Sequence, residues 1–593
     1  MSTGRTELIA ASLAACLATA PWAMAQEQEE DAAAARPNIL VVILDDIGFT
    51  DLGAYGSEIR TPNFDALAAR GAMFSNFRTA PTCAPTRAML LTGVDNHQTG
   101  VPTLEHLMIP EYEGVPGYEG ELRPSALTLA EHLGQAGYQS FAVGKWHVGR
   151  SPTSLPAHRG FERSFILDSS GADNWEHRPY IPHYRRAEWW QDFAPVDTLP
   201  EDFYSSRFLV DTMIEYLDGR DTGRPFFAML GFQANHIPVQ APREFVERYD
   251  GVYDSGWEAL REARHGAAIA RGLVPPDAAL APVPPGLTAW DEMDAAEREL
   301  SIASRQVAAG MLEAADHHFG RLLDRLEASG TLENTIIVLL SDNGPEYNAP
   351  TDNAAFRFWL AVQGYSRDVE TLGTRGTYAF IGPEWASASA SPLSLFKFHA
   401  AEGGIRVPLI VSGPGVRARG VQPQFALVTD IAPTLLDLAD VEPLRDGLSI
   451  TGRSLAPILA GGEADSPYGP EEAVGIEMSG QIAFYRGRYK LTRSLVPYGD
   501  GVFRVFDIEA DPGETTDLAA SRPELLAEMT AAYEDWAARS NVVAVPEGFD
   551  AGAEIARRGW EASMRTYRPW LIGLGLALLA ITAALVMRLS RRR

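Results

Sequence analysis

Unbroken apolar runs alternate with helical patterns over some 400 residues of this chain. The first run is 38–44, and others of the same kind lie at 140–143, 226–232, 335–340 and 409–412. None shows the polar alternation of a half-exposed strand, so they predict strands buried on both faces, as in a parallel sheet. Between them, apolar residues recur at helical spacing over 61–70, 127–136, 301–326 and 429–439. Strand and helix in alternation predict a doubly wound α/β domain with a mostly parallel sheet, spanning 37–469. From about residue 470 the texture changes. Short strand patterns at 482–485, 489–493 and 503–507, joined by turns, precede a helical pattern at 524–539. They predict a small antiparallel sheet with one helix, 470–545, and then a linker, 546–569. Two irregular stretches interrupt the α/β alternation: 168–200, rich in Trp, Tyr, His and Pro, and 345–395, rich in Gly, Ala, Ser and aromatics. Loops of that length inside a folded domain act as lids or binding walls.

The two ends differ from the body. Residues 1–25 hold one basic residue, Arg5, an apolar run over 8–20, and Ala23-Met24-Ala25 ahead of Gln26. That pattern predicts a secretory signal peptide. A lipobox reading of Leu13-Ala14-Ala15-Cys16 competes, but the apolar stretch ahead of Cys16 is short for a signal core. An acidic spacer, 26–36, follows. At the other end, 570–587 contains no charged residue and is flanked by Trp570 on one side and by Arg588, Arg591, Arg592 and Arg593 on the other. Its length and flanks predict a transmembrane helix with a basic cytoplasmic tail, 588–593. Leader and tail together predict an exported, membrane-anchored protein whose body lies on the periplasmic or extracellular side.

Composition narrows the partners. Apolar content of 46% and charged content of 22% describe a globular chain. The net charge is −28, with no basic block in the body, which excludes nucleic acid as a partner. It also means that any anion site must gather its cations locally.

Such a gathering is visible where the strands end. In an open parallel sheet, ligands bind outside the carboxyl ends of the strands. The run 38–44 ends in Asp45-Asp46, and 140–143 in Gly144-Lys145-Trp146-His147. The run 226–232 leads into Asn235-His236, and 335–340 ends in Ser341-Asp342-Asn343-Gly344. Asp45, Asp46, Asp342 and Asn343 offer hard oxygen ligands, which suits Ca²⁺, Mg²⁺ less well, and disfavours structural zinc. Arg87, Lys145, His147, His236 and Lys397 supply positive charge for an anionic ester.

Cysteine usage completes the picture. Outside the leader the chain has one cysteine, Cys83, so no intramolecular disulfide is open to it. It begins Cys83-Ala84-Pro85-Thr86-Arg87, which runs on to Thr92-Gly93. This Cys-x-Pro-x-Arg signature resembles that of type I sulfatases of the alkaline phosphatase superfamily, with Thr86 where serine is more usual. Asp45-Asp46, Gly144-Lys145-Trp146-His147, Asp342-Asn343-Gly344 and Glu402-Gly403-Gly404-Ile405-Arg406 resemble the motifs of that family in its order, over roughly 37–540. The segment before Lys397 is similar to the bacterial arylsulfatase branch.

The resemblance implies an enzyme that hydrolyses aryl or alkyl sulfate esters to alcohol and inorganic sulfate. It implies that a formylglycine-generating system converts Cys83 to formylglycine, whose hydrated aldehyde is the nucleophile. It further implies one bound Ca²⁺ held by Asp45, Asp46, residue 83, Asp342 and Asn343. Asp342 would help deprotonate the nucleophile, and Arg87 would hold it. Lys145 and Lys397 would stabilise the sulfuryl oxygens, His236 or Lys397 would protonate the leaving alcohol, and His147 would release sulfate. Two rivals stand beside this reading: a phosphonate or phosphodiester hydrolase on the same fold, and a catalytically silent, membrane-tethered binder of sulfated ligands.

Overall fold

The computed structural model describes residues 36–462 and 464–590, with backbone alone at 569–571, 574, 585 and 586. The expected leader 1–25, most of the acidic spacer, and Arg591, Arg592 and Arg593 lie outside the described residues. Along the described chain the strands are β1 (Asn38–Leu44), β2 (Ala72–Phe74), β3 (Phe77–Arg78), β4 (Gln139–Lys145), β5 (Arg163–Leu167), β6 (Trp189–Gln191), β7 (Ala194–Pro195), β8 (Phe226–Gly231), β9 (Thr335–Ser341), β10 (Leu409–Ser412), β11 (Gly420–Gln422), β12 (Ala426–Leu427), β13 (Ala473–Met478), β14 (Gln481–Arg486), β15 (Tyr489–Arg493) and β16 (Arg504–Asp507).

Ten of them form one sheet in the order β11-β2-β10-β9-β1-β8-β4-β5-β6-β7. β1 lies at its centre, parallel to β8 on one side and β9 on the other. Its side chains show why the run is apolar throughout. Leu40, Val42 and Leu44 enter a core on one face, with Val307, Leu312 and Phe319 of the helix Ala295–Ala328. Ile39, Val41 and Ile43 enter a second core on the other, with Leu90 and Leu91 of the helix Cys83–Thr92 and Leu435 of the helix Ile431–Leu438. Helices cover both faces of the strand, so no polar alternation survives.

The sheet is mixed: five of its nine strand pairings are parallel and four antiparallel, with β10 and β6 running against the rest. β10 runs antiparallel to both β9 and β2, and β6 is antiparallel to β5 and β7. Burial on both faces gives β10 the same apolar texture as its parallel neighbours, so strand direction is not written in it. The second sheet, β13-β14-β15-β16, is antiparallel throughout. One face packs on the helix Pro523–Arg539 through Phe484, Leu491, Val505 and Met529, and the other meets the main body through Ile476, Tyr485 and Ile405.

The C-terminal expectation is corrected. A single helix, Ala551–Ser590, contains the run 570–587. Among the described residues no helix is long and apolar enough to cross a membrane. The expected transmembrane segment, its cytoplasmic tail and the membrane-anchored placement are therefore withdrawn. The physical reason lies in reach and context. Eighteen residues at 1.5 Å per residue extend about 27 Å, at the lower end of what a hydrocarbon core of about 30 Å requires. The run also continues a charged helix in which Arg558 pairs with Glu554 at 2.8 Å and donates to the carbonyl of Met108.

Candidate active site

Adjacency in the sheet decides which loops meet. β9, β1, β8 and β4 are consecutive neighbours, so their carboxyl ends deliver Asp342-Asn343, Asp45-Asp46, Asn235-His236 and Lys145-Trp146-His147 to one edge. Asp46 and His147 leave their strands in the left-handed region, at φ 63° and 57°. A non-glycine residue held there costs on the order of 1–3 kcal/mol, a form of strain that clusters at functional sites. The strand ends approach closely because of glycine. Gly144 has φ 100°, and a Cβ on it would lie 1.9 Å from the carbonyl oxygen of Gly231. No other residue fits there.

The helix Cys83–Thr92 brings the remaining motif. Cys83 is its first residue and Arg87 lies four further on, so both project from one face. Pro85 sits in the first turn, where its missing N–H goes unused. Arg87 then bridges two strand ends. Its Nε donates to Asp342 Oδ2 at 2.8 Å and its Nη1 to the carbonyl of Lys145 at 2.7 Å. Lys397 arrives from the segment ahead of the turn Glu402–Ile405.

All ten expected site residues are buried, none more than 6% exposed, counting Asn235 beside them. Lys145 Nζ donates to both oxygens of Asp45, at 2.8 and 2.6 Å. Lys397 Nζ donates to Asp46 Oδ2 at 2.8 Å and to Glu346 Oε2 at 2.9 Å. Asn343 Nδ2 donates to Asp46 Oδ1 at 2.7 Å. His236 is held through Nδ1 by the carbonyl of Ile237 at 2.6 Å, and its Nε2 lies 4.0 Å from Asp46. The structure thus brings Asp45, Asp46, Cys83, Arg87, Lys145, His147, His236, Asp342, Asn343 and Lys397 together, and leaves none apart.

Electrostatics follow from the burial. Desolvation pushes the Asp45 carboxyl up to about 8 and Asp46 to about 6, against the pull of Lys145 and Lys397 respectively. Burial would lower the Lys397 ammonium, but Asp46 and Glu346 outweigh it and hold it well above its usual range. Burial pushes His147 and His236 well below the ordinary imidazole value, reinforced by Lys145. Both are neutral at pH 7. The Cys83 thiol is pushed up to about 11 by burial, although it sits at a helix N-terminus. As a thiol it is protonated and a poor nucleophile.

A divalent cation fits these residues. Ligand atoms of Asp45, Cys83 and Asp342 lie within 4.8 Å of one another. Asn343 Oδ1 is buried and has no hydrogen-bond partner among the described residues, as a carbonyl oxygen reserved for a ligand would be. Oxygen donors with a high carboxylate count suit a hard ion. His147 is the matching observation for an anion: both ring nitrogens are buried without partners among the described residues.

Two neighbours escaped the sequence reading. Glu346 anchors Lys397; it is the next carboxylate after Asp342 in the same loop, so its position along the chain could have flagged it. Tyr180 lies edge-on to His236, ring centroids 5.0 Å apart at 78°. It belongs to the aromatic stretch 168–200, expected to form a wall, but nothing in that stretch singles it out.

Residues 37–441 match the model of the family described as Sulfatase. An uncharacterized sulfatase of Schizosaccharomyces pombe is 34% identical over 542 residues, 87% of this chain and 96% of the relative. The arylsulfatase of Klebsiella aerogenes is 32% identical over 440 residues, 72% of this chain and 90% of that one. Among solved structures, BT4656 in complex with its substrate D-glucosamine-2-N,6-O-disulfate superposes with a TM-score of 0.55 at 21% identity. That superposition covers 85% of this chain and 98% of the other, a likeness of fold.

Proposed function

We propose, for a chain that belongs to the sulfatase family and is a sulfuric ester hydrolase, that Cys83 is converted to formylglycine and that this residue attacks the sulfur of aryl or alkyl sulfates. The observation that supports it most is the setting of Cys83: a buried, protonated thiol, unfit to react as it stands, among the cations Arg87, Lys145 and Lys397 and the carboxylates Asp45 and Asp342. Sγ stands where the oxygens of the hydrated aldehyde would be, and those supply two geminal hydroxyls: one forms the bond to sulfur, and loss of the other's proton breaks the carbon–oxygen bond that releases sulfate.

The chain's own residues divide the work. Asp342, fixed by Arg87, accepts the proton of the attacking hydroxyl. Lys145 and Lys397 face the developing charge on the sulfuryl oxygens. As the ester S–O bond breaks, the leaving oxygen takes a proton. Lys397 is the better donor here, because its ammonium is held protonated while His236 is neutral with Nδ1 committed to the Ile237 carbonyl. His147, neutral and unpartnered, accepts the proton of the second hydroxyl as the C–O bond to sulfate breaks and the aldehyde re-forms. Sulfatases generally use a divalent metal, and Asp45, Asp46, Asp342 and Asn343 with residue 83 would hold one here, Ca²⁺ by donor type. Bound there, the ion supplies positive charge that polarises the sulfate group.

The test is an intact-mass measurement of the peptide containing Cys83, coupled to a panel of aryl and alkyl sulfates. An aldehyde at position 83 in turning-over enzyme is expected. Full multiple turnover by protein whose residue 83 is wholly thiol would overturn the reading.

A further inference from the structure

A second group of ligating side chains lies outside the constellation just described. Glu105 and His106 sit on the short turn Glu105–Leu107, and His183 comes from the aromatic stretch 168–200. One ligand atom from each lies within 4.8 Å of the others. The two imidazoles face each other with ring centroids 4.3 Å apart at 57°. His106 is only 3% exposed. Its Nδ1, and that of His183, are buried with no hydrogen-bond partner among the described residues. A buried polar atom left unpaired costs about 1–3 kcal/mol, so two side by side need a reason. Packing alone does not supply one, because a packed histidine ordinarily bonds through its ring nitrogens.

We propose that Glu105, His106 and His183 form a binding site for a borderline divalent transition-metal ion, Zn²⁺ being the type case. Two imidazoles with one carboxylate select such ions, whereas the all-oxygen set around Asp45 selects a hard one. The supporting layer is in place. The Tyr184 hydroxyl donates to Glu105 Oε1 and accepts from Ser170 Oγ, 3.0 Å away. A ligating carboxylate is usually oriented by such a partner. Three nearby cations, Arg150, Arg558 and Arg565, oppose a metal, and the first two are paired. Arg150 lies over the Tyr184 ring and meets Asp168 at 3.3 Å, and Arg558 meets Glu554 at 2.8 Å. Tetrahedral bonds of about 2.0–2.1 Å place ligand atoms roughly 3.3 Å apart, so the triad must close by up to about 1.5 Å. Glu105 has the space to move, since it lines a cavity of about 210 Å³. His147 lines that cavity too, so an ion here would stand in the wall of the space leading to the sulfate site.

The experiment uses the full chain with Ca²⁺ saturating, titrated with Zn²⁺ by calorimetry and with Co²⁺ by visible absorption. One equivalent of Zn²⁺ beyond the Ca²⁺ is expected, with the absorption of a tetrahedral nitrogen–oxygen Co²⁺ site. His183→Ala and Glu105→Gln should each weaken Zn²⁺ at least about tenfold, as should Tyr184→Phe by loss of the supporting hydrogen bond. Asp45→Asn should leave the Zn²⁺ affinity unchanged. His106→Ala is the harder variant because the residue is fully packed, so the two half-buried ligands decide the outcome. No Zn²⁺ binding in the folded wild type would overturn the proposal. So would binding that survives His183→Ala and Glu105→Gln, or binding lost with Asp45→Asn alone.

Discussion

Glu402 is the residue whose charge ties the antiparallel sheet to Arg78 of β3 in the main body, and replacing it by glutamine isolates that charge. Its Oε2 accepts from Arg78 Nη2 at 2.6 Å, and its Oε1 accepts from the Tyr485 hydroxyl at 2.7 Å and from Lys490 Nζ at 3.0 Å. Arg406 stands 3.8 Å away. Glu402, Arg78 and Lys490 side chains are wholly buried. Three cations therefore depend on Glu402 and on Glu514, which meets Lys490 at 2.7 Å. Glutamine keeps the volume and part of the hydrogen bonding, but it leaves an additional uncompensated positive charge in the interior. Removing one partner of a buried ion pair costs about 3–5 kcal/mol, a large share of the roughly 5–15 kcal/mol that separates most folded domains from unfolding. Urea denaturation followed by tryptophan fluorescence, with Trp536→Phe as the control that isolates its share of the signal, reads the right region, because that indole packs directly against Gly475 of β13. Midpoints are compared at constant slope, since a chain with two cores can unfold in more than one step. The pair of changes Glu402→Gln and Lys490→Met should recover part of the loss, as removing both partners spares the orphaned charge. A Glu402→Gln midpoint within about 1 kcal/mol of wild type would refute the reasoning.

Cys83→Ser should fold normally and retain the divalent ion, yet lose multiple turnover, because a serine adduct has no second hydroxyl; steady-state rates at wild-type level would contradict this. Chelation should abolish sulfate-ester hydrolysis and Ca²⁺ should restore it, with elemental analysis of Asp342→Ala showing less bound metal than wild type. His97 gives a pH dependence. Burial would lower its imidazole, but Asp95 at 2.8 Å and Glu477 at 2.7 Å raise it to about 10. A raised folded-state value means stability that is complete below about 6.5 and declines as pH rises towards about 10. His97→Gln should flatten that decline in a thermal-unfolding series, and an unchanged slope would argue against the clamp.

Much of the site was legible because the sheet's geometry makes it so. Strands covered on both faces show as apolar runs, and the polar residues that follow each run mark the ligand edge. That is why Asp45, Lys145, His236 and Asp342 could be read before any contact was known. Strand direction could not, since β10 has the same texture whichever way it runs. The helix beginning at Cys83 was also hidden, because its residues are buried all round and show no polar face. Glu346 and Tyr180 matter through contacts between segments distant in sequence, which no local pattern records. The run 570–587 is apolar on its own but continues the charged helix Ala551–Ser590, so its local composition does not describe the element it belongs to.

The burial of Cys83 bears on the order of events in making the enzyme. In the folded chain its Sγ lies at the head of a helix, 1% exposed and roofed by strand-end loops. A modifying catalyst must bring its own active site to that sulfur, and no protein-sized agent reaches it without undoing the helix and the loops around it. Under the chemistry proposed here, conversion of residue 83 therefore belongs to the nascent, unfolded polypeptide, when Cys83-Ala84-Pro85-Thr86-Arg87 is still an extended peptide. Folding then seals whichever side chain is present. A preparation made where the converting machinery is scarce should be a fixed mixture of active and inert molecules, and no later treatment of the native protein should change their ratio.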